Sequence, residues 1–187
     1  MSILLIRLAA TFSLLVFAAS FVSVQASSRD EGVVEFGGEI IDTACGLEVG
    51  SAYQVIEMPA EPIGQLLRSG FGKPHSFQLR LVNCSLSRPD LSISGPRLPD
   101  WQHVQVTFDG ARDRGGLSFT TFGDSQGVAL NIADEFGQES VPGKPMARQP
   151  LRDGSVALNY TLRLVGNGLP MVAGSHSAAV RFKLEYF

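Results

Sequence analysis

Short segments of alternating apolar and polar residues, each closed by turn-forming residues, restrict the fold of this chain more than any other feature. They recur as "VVEFGGEII", "YQVIEM", "SFQLRLVNC", "LSISG", "HVQVTFDG", "LSFTTFG", "VALNIAD", "VALNYTLRLVG" and "AAVRFKLEYF". A period of two puts every second side chain on the same face of a strand, and many short strands punctuated by Gly, Pro, Asn and Asp pack as a sandwich or barrel. In "SFQLRLVNC" the inward set is Phe77, Leu79 and Leu81, with Gln78 and Arg80 outward. "HVQVTF" repeats the pattern with Val104, Val106 and Phe108. A sheet with one face on a core and one in water has this signature. The 20 glycines and 10 prolines among 187 residues favour an all-β domain over a helical one, although "EPIGQLLRSG" has room for a short helix. No internal repeat, charge block or low-complexity linker divides the chain after its first segment.

That first segment is of another kind. "MSILLIRLAATFSLLVFAASFVSVQA" has one early cation, Arg7, then a long apolar run, and it closes on Val24-Gln25-Ala26. A small-x-small ending followed by the polar "SSRDE" reads as a signal peptide, residues 1–26, removed after Ala26, and less well as an uncleaved membrane anchor. The exported part then holds both cysteines, Cys45 and Cys84. In an oxidising compartment their simplest state is one disulfide. A reactive or metal-bound thiol pair would need the CxxC spacing and nearby histidines that are missing here.

Few residues invite chemistry. His75, His103 and His176 sit in separate segments with no i, i+4 partner. Gly116-Leu117-Ser118-Phe119-Thr120 lacks the final glycine of a nucleophile elbow. Asp124-Ser125-Gln126-Gly127 and Asp134-Glu135 read as turns and do not continue into a calcium loop. The sequence offers no catalytic or metal set and implies no cofactor and no small-molecule substrate. A formal net charge of -3 argues against a nucleic-acid partner.

Two features at the ends of the exported chain raise a question. In "GVVEFGGEII" one strand face carries Val34, Phe36 and Ile40, with Gly38 where another large side chain would stand. A glycine there marks either a bulge or bend in the chain's own sheet, or a close approach to other backbone. At the other end "SAAVRFKLEYF" alternates Val180, Phe182, Leu184 and Tyr186 with Arg181, Lys183 and Glu185, and nothing follows to cover it. A terminal strand can simply be the last in its sheet.

The ordered combination of these pieces resembles the pilin subunits of bacterial chaperone-usher fimbriae. Phe36-Gly37-Gly38-Glu39-Ile40 followed by Cys45 is similar to their mature N-terminus. "LRLVNC", "VTFDG", "GVALNIADEFG", "LNYTLRLV" and a closing strand with penultimate Tyr186 follow in the family's order over essentially the whole mature chain. The resemblance implies an all-β, incomplete immunoglobulin-like sandwich lacking its last strand, completed by a donor strand from another molecule. It implies three parts: signal peptide 1–26, N-terminal donor-strand extension 27–42 and pilin domain 43–187. Val34, Phe36, Gly38 and Ile40 would enter a neighbouring pilin's groove, with Gly38 at its shallow site. Gly32 replaces one further apolar residue of the pattern. A periplasmic pilus chaperone would grip the groove-edge strand Val180, Phe182, Leu184, Tyr186 and Phe187, and an outer-membrane usher would receive the subunit. The expected end point is a cell-surface fimbrium reached through the periplasm. "YQVIEMPAEPIGQLLRSGF" and "NYTLRLVGNG" look closer to the terminating, base-anchoring subunit of P pili than to major rod pilins. The competing reading is a self-contained secreted sandwich, such as a carbohydrate-binding module or small hydrolase, whose N-terminal strand pairs within its own sheet.

Overall fold

A computed structural model of the chain describes residues 32–35, 37–38, 40–88 and 97–187. The expected signal peptide, Phe36 and the "LSISG" segment lie outside the described residues. The chain falls into two units, Met1–Ile40 and Ile41–Phe187. In the first, the described residues form no strand, and Val33, Val34 and Ile40 are exposed.

The second unit is built from β1 (Gly46–Leu47), α1 (Val49–Ala52), α2 (Ile63–Ser69), β2 (His75–Cys84), β3 (His103–Gly110), β4 (Phe119–Thr120), β5 (Val128–Asp134), β6 (Gln149–Pro150), β7 (Gly154–Gly166) and β8 (Val180–Tyr186). One sheet runs β1-β2-β7-β5-β4 and the other β6-β3-β8, with every pairing antiparallel. The long strand β7 is the spine. Its first part pairs with β2 (Leu81↔Val156, Phe77↔Tyr160) and its last part with β5 (Ile132↔Leu162, Val128↔Gly166).

Strict alternation explains why these segments pack as they do. Val156, Leu158, Tyr160, Leu162 and Leu164 all point inward and are buried, as are Leu79 and Leu81 of β2. They meet Val104, Val106 and Phe108 of β3 across the sandwich, the inward set expected from the sequence. Burying one such side chain is worth about 1.5–3 kcal/mol, so this layer dominates stability. The Tyr160 ring lies 5.0 Å from Phe108, edge to face, and 5.5 Å from Phe77. Burial and the nearby Asp134 carboxylate push the Tyr160 hydroxyl well above the usual phenol range.

A one-residue irregularity puts the second cysteine inside. After inward-facing Leu79 and Leu81 the alternation would turn Cys84 outward, but the β2–β7 register shifts between Leu81 and Cys84. Asn83 takes φ 53°, a left-handed conformation that Asn tolerates better than most residues. Cys84 is thereby buried and bonded to Cys45, 39 residues earlier.

Two expectations require correction. "YQVIEM" joins no ladder: among the described residues, 54–60 make no backbone–backbone hydrogen bond, since no strand lies beside them. "LSFTTFG" contracts to β4, because Gly116 (φ 71°) and Gly123 (φ 129°) turn the chain on either side of it. The short helix foreseen in "EPIGQLLRSG" is α2, ended by Gly70 at φ 80°, whose N–H donates to Leu66 O.

Closing a loop of this length should stabilise the fold by about 4 kcal/mol on the chain-entropy account. Cys45→Ala with Cys84→Ala is therefore expected to lower the stability of the chaperone-bound subunit by about that amount, read by urea titration of the complex, and to reduce periplasmic yield sharply. A loss below about 1 kcal/mol would show that the bond contributes little constraint.

Candidate functional site: an open groove beside the last strand

Strand β8 is paired on one side only. Its partner is β3, from Val104↔Tyr186 to Gly110↔Val180, and among the described residues no strand lies along its other edge. An antiparallel strand aims the N–H and C=O of alternate residues to each side, so that edge carries donors and acceptors without ladder partners. The side chains report the same asymmetry. Val180, Phe182, Leu184 and Tyr186 pack against the core yet stay only partly buried, whereas the matching alternate residues of β7 are fully buried.

The space beside them is a cleft of about 880 Å³ between the two sheets. Its floor is apolar: Leu130, Ile132, Leu162 and Leu164 from one sheet, Phe108 and Phe182 from the other. One rim is Gly174–Ala179, leading into β8. The other is Tyr53–Met58, the segment without a ladder. Ile56 and Met58 of that rim turn toward the core, while Tyr53 and Val55 are exposed. The groove is thus lined by apolar side chains and flanked by the unpaired edge of β8 on one side and by a segment without a ladder on the other.

Both ends of β8 are fixed. Before it, Ser177 and Phe122 exchange N–H···O bonds of 2.8 Å, Val172 and Gln126 do the same at 3.0 and 3.1 Å, and Ser125 N–H donates to Ser175 O. Ser175 Oγ also donates to Asp124 Oδ2 at 2.8 Å. Gly174 is required for this clasp, because a Cβ there would stand 2.6 Å from the backbone of Asp124 and Ser125. After it, Phe187 N–H donates to His103 O, and Phe187 O accepts from the N–H groups of Gln102 and His103. The Arg148 guanidinium lies 3.7 Å from the Phe187 ring centre. Tyr186 packs edge-on to Trp101, its hydroxyl is 3.5 Å from Cys45 O, and burial raises its pKa.

The residues singled out from sequence thus lie in different units. Val180 and Phe182 line the cleft, Leu184 and Tyr186 pack on the core further along β8, and Phe187 pairs with His103 beyond it. Val34, Gly38 and Ile40 belong to the first unit, where a Cβ on Gly38 would meet no atom within 4 Å. Sequence reasoning missed that 53–58 forms the second rim and that the Asp124–Ser175 clasp fixes the first. For the rim the alternation of "YQVIEM" marked an extended segment, but nothing in the sequence showed that it would go unpaired.

No family model matches this chain. It is 35% identical over 156 residues to the PAP fimbrial minor pilin protein of Escherichia coli, covering 83% of this chain and 77% of that protein. Identity to the Pap fimbrial major pilin protein of Escherichia coli is 26% over 166 residues, covering 84% and 85%. Among solved structures it is similar to one of a chaperone-usher pilus concerned with rod uncoiling, with a TM-score of 0.67 and 25% identity over 86% of this chain and 98% of that one. The fold is therefore an immunoglobulin-like sandwich without its last strand.

An apolar cleft open along its length should take up a hydrophobic dye. The chain kept monomeric by dilution is expected to enhance anilinonaphthalene sulfonate fluorescence several-fold, and Phe182→Glu, at the groove wall, to abolish most of that signal. Equal dye binding by both proteins would place the exposed apolar surface elsewhere.

Proposed function

This chain belongs to the fimbrial pilin family, and from that premise we propose that its groove receives a strand from one neighbouring subunit while its own N-terminal extension fills the groove of another. It is a structural, non-enzymatic subunit, exported to the cell surface, and it assembles with other pilins. The observation that carries the donor-strand reading is the pair of unpartnered main-chain edges, β8 and 54–60, on either side of an apolar floor. Strand addition to such an edge takes affinity from ladder hydrogen bonds and specificity from pockets for alternate side chains, and pilin donor-strand complementation is a known instance of it. A self-contained secreted sandwich would instead pair 33–41 within its own sheet. The absence of a strand among the described residues there favours the pilin reading.

In this reading residues 27–42 form the donor extension and 43–187 the pilin domain. Val34, Phe36 and Ile40 fill the neighbour's pockets, and Gly38 lies where that groove is shallow. A periplasmic chaperone holds the open edge of β8, at Val180, Phe182, Leu184, Tyr186 and Phe187, until an outer-membrane usher passes the subunit on. An edge this long would otherwise recruit other strands. The higher identity to the minor pilin than to the major one supports a minor role; in its sharpest form, termination or anchoring of the fibre, the groove would instead resist a neighbour's strand and growth would stop there.

Two outcomes are expected. The mature chain without a chaperone should aggregate or self-associate, as seen by size-exclusion chromatography, and a cooperatively melting monomer would defeat the incomplete-sandwich reading of its function. Gly38→Leu should leave folding and chaperone binding unchanged but slow insertion into the preceding subunit, since overpacking costs about 1–3 kcal/mol. The assay is exchange of peptides 27–42, wild type and Gly38→Leu, into that chaperone-bound subunit. Equal rates would remove the donor-strand role of this segment.

A further inference from the structure

The groove's second rim poses a physical problem. A strand seated between two edges can pair with both only where they stand about 9.5 Å apart, twice the spacing between neighbouring strands. Strand β8 is held by its whole ladder with β3. Residues 54–60 have no ladder, so something else must keep them at that separation. At the near end, Gln54 Nε2 donates to Gln78 O at 2.8 Å, and Ser51 Oγ accepts from Arg80 N–H at 2.9 Å.

At the far end stands Glu61, with a side chain only 5% exposed. Both its carboxylate oxygens lie 3.1 Å from the Lys73 N–H, which donates to them. His75 Nε2, itself buried and without a hydrogen-bond partner, lies 3.9 Å from Oε1. The carboxylate fits here because residue 72 is glycine: a Cβ there would fall within 2.9 Å of all three carboxyl atoms. Gly72 N–H in turn donates to Leu164 O of β7. A buried carboxylate is costly without partners, and here both oxygens share the one Lys73 N–H, two residues before β2, with the His75 ring nearby.

We propose that Glu61 is a positioning residue for the groove: its buried carboxylate, seated over Gly72, ties rim 54–60 to the sheet and sets the width offered to an incoming strand. The proposal rests on the strand-accepting reading of the groove. Removing the acceptor frees the rim while leaving the sandwich core and the disulfide intact. Glu61→Gln keeps an oxygen for the Lys73 N–H and should behave like the wild type. Glu61→Leu removes it, and Gly72→Ala displaces it.

The test uses the full mature chain in complex with its chaperone, spin-labelled at Val55→Cys and Lys183→Cys on the two edges. Their separation should be sharply distributed in the wild type and in Glu61→Gln, and broadened in Glu61→Leu and Gly72→Ala. The N-terminal extension peptide of the neighbouring pilin that donates to this groove should displace the chaperone about tenfold more slowly from the two broadened variants, and at the wild-type rate from Glu61→Gln. Unchanged distance distributions in Glu61→Leu and Gly72→Ala would overturn the proposal. So would broadened distributions with unchanged exchange. If the distributions broaden as expected but no variant, wild type included, takes the peptide, the tie is upheld and the strand-accepting reading falls instead.

Discussion

Hydrogen-bond satisfaction of the main chain governs this structure. Among the described residues, the other sheet-edge strands, β1, β4 and β6, are each two residues long. Strand β8 is long, regular and packed on the core, yet among the described residues no strand pairs with one of its edges. Main chain in that position must eventually find a partner, and the apolar floor beside it cannot supply one. The partly buried side chains of β8, the open cleft and the rim without a ladder all follow from the absence of one strand.

Much of this was legible in the sequence. The inward sets of β2 and β3 follow from period-two alternation, and the short helix from "EPIGQLLRSG". The fold class, the groove and its edge strand came from a resemblance that spans most of the chain. What could not be read was pairing. "YQVIEM" has the alternation of a strand, but alternation encodes which face is buried and says nothing of whether a partner exists. The cysteine pairing was legible from composition and compartment, but the bulge at Asn83 that turns Cys84 inward was not, because a register shift appears only when two strands are laid side by side. Glu61 and His75 were equally hidden. Separately they look like ordinary polar residues, and only the turn through Gly72 brings them into one buried cluster.

The two rims are held by different means. The lead into β8 is clasped by reciprocal backbone bonds to the 122–126 loop and by Asp124 with Ser175. The opposite rim depends on side-chain anchors at its ends and on Ile56 and Met58 touching the core. One wall is thus held by main-chain bonds and the other by side-chain anchors, and substitutions at those anchors should alter the groove with little effect on the core.

The direction of the groove has a mechanical consequence. It runs alongside β8, so a strand lying in it would form hydrogen bonds across its own axis. Tension applied along that axis loads all of those bonds in shear at once, whereas a pull at right angles would unzip them singly.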